Sequence, residues 1–300
     1  MTAQAYHRPV NRLSGDQRRA VAQALVEGNS IRSTCRMTGV AKGTVTRFLV
    51  ALGRACDEYQ DAVLRDLPCK RIQADEIWAF VYAKQRNIPK RLTGAVGIGD
   101  AWTWTAICQD TKLIPTWLVA LRDKRHAAVF IDDLAARMAH RIELVTDGHP
   151  AYLDAVATAF ADGVDYAQLV KQYGSDQERG PENRYSPYKV TGVERRRIMG
   201  QPDLDRVSTS NVERANLTMR MSMRRFTRLT NGFSKKFENL EAAVALHFMH
   251  YNFARPHGSL GGATPAMAAG VSRYRWSIDE IVELLAHQEP RSTRPAKLAS

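Results

Sequence analysis

The chain has 300 residues, with 44% apolar and 25% charged residues and a formal net charge of +12. That size holds one large or two modest domains, and the composition is ordinary for a soluble globular protein rather than a fibrous or disordered one. The basic excess points to a polyanionic partner, most often nucleic acid, and no apolar run approaches the roughly 18 residues of a membrane span. No charged-then-apolar leader precedes the first predicted helix, which gives the expectation of a cytoplasmic, nucleoid-associated protein without a membrane partner.

In chain order, Ser14-Gly15-Asp16-Gln17 fits a capping box, and Val21, Ala24 and Leu25 give the helix behind it one apolar face ending at Gly28. A short helix from Ile31 to Met37, a turn through Thr38-Gly39-Val40 and a third helix from Lys42 to Leu52 follow. Helix, glycine-centred turn and helix with inward Val45, Phe48 and Leu49 make a helix-turn-helix pattern. Residues 1–54 carry nine Lys or Arg against Asp16 and Glu27, so charge and motif agree on DNA binding. Lys42, Thr44, Thr46 and Arg47 lie toward the outward side of the recognition helix.

Residues 55–70 read as a connector. Strands are predicted at Ile72 to Tyr82, Trp102 to Gln109 and Leu113 to Leu121, as an antiparallel meander. An amphipathic helix around Ala127 to Met138 comes next. It is followed by a strand from Ile142 to Thr146, a helix from Tyr152 to Phe160 and a fifth strand from Val164 to Val170. This order gives an α/β fold, a mixed five-stranded sheet with helices on its faces, and sets the first and fourth strands side by side.

Residues 172–209, rich in Gly and Pro and containing Arg195-Arg196-Arg197, read as an insertion, partly ordered at best. Helices resume at Ser210 and Ser234, and residues 273–300 read as a C-terminal helix and a disordered tail. The intervals define a helix-turn-helix domain at 1–54, a connector at 55–70 and a catalytic domain at 71–272. The four cysteines match neither a zinc module nor a disulfide framework, so they read as reduced, structural thiols. Trp78, Trp102, Trp104 and Trp117 read as core.

Three carboxylates carry the chemical argument. Asp75 interrupts an apolar strand, Asp147 ends another, and Glu213 opens a helix bearing Arg214, Arg220, Arg224, Arg225 and Arg228. An acid within a buried strand is costly unless it is paired or metal-bound. Two such strands beside a basic helix predict a two-Mg²⁺ site acting on phosphodiesters, with Mn²⁺ able to substitute. Asp75 would bridge the ions, Asp147 would hold the first and Glu213 the second. The attacking group would be water for cleavage, or a DNA 3′-hydroxyl for joining. The alternative readings are a strand-end acid, an ordinary Asp-Gly turn and a first-turn acid favoured by the helix dipole. The arginines would hold the DNA backbone; His149, beside Asp147, would either contact DNA or serve local hydrogen bonding, the commoner role of a loop histidine.

Asp75, Asp147 and Glu213, in that order, resemble the Asp-Asp-Glu triad of bacterial insertion-sequence DDE transposases. The stretches from Thr146 to Tyr152, Ser208 to Arg220 and Tyr251 to His257 are similar to the insertion-sequence-one group. The resemblance implies a ribonuclease-H-like integrase core over residues 70–272. It implies Mg-dependent cleavage of element ends and their joining to target DNA. Double-stranded DNA, both terminal inverted repeats and target, would be the partner of a homodimer or higher assembly. It also implies that Arg220, seven residues after Glu213, contacts terminal phosphates. The Asp147-to-Glu213 interval of 66 residues is longer than usual, so Glu182 and Glu194 stand as alternative third ligands. The cysteine-bearing zinc finger associated with founding members is absent here. Two alternatives to the transposase are a DNA-binding regulator with an inert catalytic domain and a ribonuclease-H-like nuclease without joining.

Overall fold

The computed structural model describes residues 13–174, 190–227 and 230–286. Three helices open it: α1 (Gly15–Val26), α2 (Ile31–Thr38) and α3 (Lys42–Val63). Ser14 and Gln17 close the expected capping box on α1, and α2 ends at Gly39, whose φ of 69° is cheap for glycine. Unlike the predicted third helix, α3 runs 22 residues, through the expected boundary at 54 and across half of the expected connector. Ala55, Cys56 and Gln60 stay buried along its length, so the inward face continues after the polar residues that suggested a linker. The same hydrophobic core runs from Val21 through the sheet to Ile281.

The sheet comprises β1 (Arg71–Val81), β2 (Gly99–Cys108), β3 (Trp117–Ala120), β4 (Ile142–Asp147), β5 (Val164–Tyr173) and β6 (Val190–Met199), in the order β3-β2-β1-β4-β5-β6. The first three strands form the expected antiparallel meander, and β1, β4 and β5 run parallel. This is the ribonuclease-H-like arrangement, with six strands instead of five. The extra strand lies within the expected insertion: Val190–Met199 pairs antiparallel with β5. Its Glu194-Arg195-Arg196-Arg197 run hid it, because an edge strand held by backbone pairing needs no apolar alternation. The third strand starts at Trp117 rather than Leu113, after Pro115, which cannot donate to a ladder.

Helices cover both faces. On one lie α4 (Lys124–Ala135) and α5 (Ala151–Phe160), packed on buried Trp104 through Phe130 and Tyr152. On the other lies α6 (Ser210–Ser222), whose main strand contacts are with β1 and β2. The helix α7 (Phe237–Met249) packs along α3. Short α8 (Pro265–Ala268) and α9 (Ile278–Glu283) follow, and Arg19 of α1 binds Asp279 of α9 at 2.5 Å. Among the described residues no helix is long and apolar enough to cross a membrane. Cys56, Cys69 and Cys108 are buried free thiols, and Cys35 is half-buried.

Candidate metal centre

Parallel pairing places Ala74 opposite Thr146, so Asp75 and Asp147 follow each other on neighbouring strands. Among the described residues they gather with Glu76 into one group: a carboxylate oxygen from each lies within 4.8 Å of the others. Consecutive strand residues point to opposite faces. Asp75 faces α6 and Glu76 faces α5, while Asp147, at the tip of β4, reaches both.

On the α6 side, Gln73 Oε1 accepts from the backbone amides of Asn211 (2.8 Å) and Val212 (3.0 Å). A strand side chain therefore caps the first turn of the helix that carries Glu213. One turn later Asn216 Nδ2 donates to Asp75 Oδ2 at 2.9 Å. These two contacts fix the register of α6 against β1. Replacing Gln73 by Leu leaves both amides without an acceptor, at about 1–3 kcal/mol each by the usual penalty for a buried unmet donor. A thermal melt of Gln73→Leu should fall by several degrees; an unchanged midpoint would show that the cap does not hold α6.

Glu213 accepts from Thr209 Oγ1 at 2.5 Å and pairs with the Lys171 ammonium of β5. It lies outside the three-carboxylate group but near enough for its charge to act on Asp75. Glu194, the alternative ligand, is bound to Arg196 at 2.7 Å on β6. Three strand spacings of about 4.8 Å separate β6 from β1, which removes Glu194 from the centre. Glu182 lies outside the described residues.

The electrostatics are those of crowded like charges. Burial first, and then the charge of Asp147, push the Asp75 carboxyl up to about 6. Burial and Asp147 likewise push Glu76 up to about 7, against the opposing pull of Arg122. The buried Tyr152 hydroxyl, which can donate to the Glu76 carboxylate, is held in its neutral form by burial and by the charge of Glu76. Arg122 spans the group: its Nε donates to Glu76 Oε2 at 3.1 Å, and Nη2 lies 3.5 Å from Asp147 Oδ2. Its guanidinium stacks on Trp102, 4.9 Å from the ring centre. A hard divalent cation fits this set: the donors are three carboxylates within 4.8 Å of one another, and ionising them together is costly without positive charge.

Sequence reasoning passed over Glu76, Gln73, Asn216, Arg122 and Lys171. A polar Gln73 inside an apolar strand was the available signal for α6 docking. Nothing local marked Arg122, which arrives from the β3–α4 turn.

The expected DNA-facing residues are spread over two regions. Lys42 and Arg47 are exposed at the start of α3, while Thr44 and Thr46 are half-buried. The Thr46 hydroxyl donates to the Lys42 carbonyl, and Arg47 reaches Thr44 Oγ1 at 3.4 Å. Arg214 and Arg224 are exposed, and Arg220 is half-buried on α6. Arg225 points inward, donating from Nε to Ser234 Oγ at 2.8 Å, and burial pulls it down to about 10. Arg228 lies outside the described residues. His149 donates its backbone amide to Asp147 Oδ1 (3.0 Å), and its Nδ1 accepts from Ala151 (3.0 Å), which orients the start of α5.

Residues 96–209 match the family model DDE_Tnp_IS240, a DDE domain. The matched stretch contains Asp147; Asp75 precedes it and Glu213 follows it, and the fold brings Asp75 to Asp147 while Glu213 lies outside that group. No curated protein matches the chain. Among solved structures, a Mos1 transposase paired-end complex with the left transposon end is 10% identical, with a TM-score of 0.23, covering 55% of this chain and 61% of that one. The Mos1 mariner paired-end complex with Mn gives 10% and 0.22 over the same shares. A pre-cleavage Mos1 transpososome gives 8% and 0.26, covering 83% of this chain and 80% of that one. The chain thus spans about three-fifths of the length of the first two.

Proposed function

We propose that this chain is an insertion-sequence DDE transposase that cleaves the ends of a mobile element and joins them to target DNA, a reading supported by the DDE-domain match over residues 96–209. The observation that carries the reading is the convergence of Asp75 and Asp147 at the tip of β4, with Glu213 held beside them by α6.

Asp75, Asp147 and Glu213 would hold the divalent ions, with Mg²⁺ the expected species. Asp75 feels the charges of both Asp147 and Glu213, so it is the acid that would be shared between them in holding the ions. When bound, such ions stabilise the attacking and leaving oxygens of an in-line displacement. Asn216 holds Asp75 in orientation, and Gln73 holds the helix that presents Glu213. Arg122 pairs with Glu76 and Asp147, and Lys171 pairs with Glu213, so these cations offset part of the charge of the acids. In cleavage, water attacks a phosphodiester and a strand 3′-hydroxyl leaves. In joining, that hydroxyl attacks a target phosphodiester and the target's own 3′-oxygen departs. No bond to protein forms in either step.

Exposed Arg214 and Arg224, with Arg220, would hold the DNA backbone beside the acids, while Lys42, Thr44, Thr46 and Arg47 read sequence. Acting on two ends at once implies a homodimer or larger assembly. The test is incubation with duplex oligonucleotides carrying the element's own ends, a plasmid target and Mg²⁺. Recombinant joints are expected. Cut ends without joints would reduce the protein to a nuclease, and metal-independent binding with no cutting would reduce it to a regulator.

A further inference from the structure

Along β1, the side chains on the Glu76 face continue as Trp78 and Phe80, past the point where β4 ends. Trp78 pairs across the strands with Trp102, the ring beneath Arg122. Phe80 lies 5.6 Å from Trp78, and Phe233 extends the row at 4.9 Å from Phe80. All four rings are half-buried, whereas Trp104, one step back under the helices, is fully buried. A core patch would be sealed by other apolar groups. Here the outer ring faces carry lysines: Lys84 sits 5.6 Å from Trp78, and Lys235 sits 4.5 Å from Phe233. The loop after β1 adds exposed Arg86, Lys90 and Arg91.

We propose that this shelf stacks an unpaired nucleobase of the DNA strand whose backbone lies over the carboxylates. The proposal rests on the reading above for the presence of DNA. The chemistry of the shelf selects the ligand within it. A duplex hides its base faces, so flat aromatic faces beside cations suit a strand with an unstacked base. Arg122 joins the two sites, touching Glu76 and Asp147 with one end of its guanidinium while lying on Trp102. A lysine on an exposed ring is held more weakly than a stacked base, so Lys84 and Lys235 yield the ring faces and move to the flanking phosphates.

The test uses the full chain in EDTA, so that no strand is cut. Fluorescence anisotropy compares a labelled twelve-thymidine strand with an abasic strand of equal length, which keeps the phosphates and lacks the bases. The wild-type chain should prefer the thymidine strand. Trp78→Leu and Phe233→Leu should each weaken that binding by about five- to 150-fold, the span of one lost stacked base, and leave abasic binding unchanged. Trp78→Phe should retain most of the preference. Equal binding of the two strands by the wild-type chain would overturn the proposal, as would equal weakening of both by Trp78→Leu and Phe233→Leu. If Trp78→Leu fails to fold by circular dichroism, Phe233→Leu, in the loop before α7, carries the same readout alone. A preserved base preference in a chain that never joins strands would keep the shelf and sink the transposase reading.

Discussion

Asp75→Asn and Asp147→Asn are each expected to abolish strand joining, by at least about a thousandfold, while leaving binding of element-end duplexes within a few fold. The size follows from losing a metal ligand, since metal stabilisation of the reacting oxygens is worth several kcal/mol and each 1.36 kcal/mol is a factor of ten. On the proposed reading, duplex binding rests on the basic side chains of α3 and α6, all of which both variants retain. The same Asp75→Asn change should make the metal-free protein more stable. Its carboxyl titrates at about 6 in the folded chain against 3.8 normally, so between those values the folded state holds a proton that the unfolded state has released. Stability therefore falls as pH rises through that window and stays low above it. Glu76, raised to about 7, extends the fall toward neutrality. At pH 8 in EDTA, Asp75→Asn should melt a few degrees higher than the wild-type chain, corresponding to about 2–3 kcal/mol at most. Below pH 4 the difference should vanish. Mg²⁺ should raise the wild-type midpoint at pH 8 and not that of the variant. Full joining by both variants, or a variant less stable than wild type at pH 8, would refute the metal centre as described.

The aspartates were legible in the sequence because each breaks an apolar strand, and a strand interior tolerates an acid poorly. Their neighbour Glu76 was not, because alternation alone assigns it to the opposite face. It returns to the group only because Asp147 stands at the end of its strand, where both faces of β1 are within reach. Glu213 was legible by its place at the start of a basic helix, but its distance from the aspartates depends on Gln73 and Asn216, whose contacts span about 140 residues of chain. The meander, the parallel β1–β4 pair and the capping box on α1 follow from local patterns. The edge strand β6 does not, since its side chains are exposed and charged and its pairing with β5 is a property of the backbone. The half-open row of Trp78, Phe80 and Phe233 is likewise invisible in sequence, where an aromatic residue on a strand reads as core. It is left partly uncovered because β4 stops short of β1, a fact of strand length rather than of composition.

The continuous α3 leads to the second large expectation, Gly53→Ala. This helix presents Lys42 and Arg47 at its start and packs its later length on α7, so one rigid element ties the proposed DNA-reading end to the sheet domain that holds the carboxylates. The two helices cross at Gly53, where an added Cβ would lie 2.3 Å from the Ala242 carbonyl oxygen and 2.5 Å from its Cα. Those atoms are backbone, so relief requires moving the helices apart. That movement strains the Arg54–Glu238 pair (3.5 Å) and the bond from Gln60 Nε2 to the Ala245 carbonyl (3.2 Å). Overpacking of this kind costs about 1–3 kcal/mol or more, enough to lower the melting midpoint by several degrees. Gly43→Ala supplies the contrast within the same helix: its nearest neighbour is the movable end of Arg47 at 3.6 Å, so only the conformational gain of about 0.5–1 kcal/mol remains. One methyl group should thus destabilise the chain at position 53 and stabilise it at position 43. If both variants melt above the wild-type chain, α3 and α7 do not meet as closely as this structure has them, and the rigid link between reading and cutting fails with that contact.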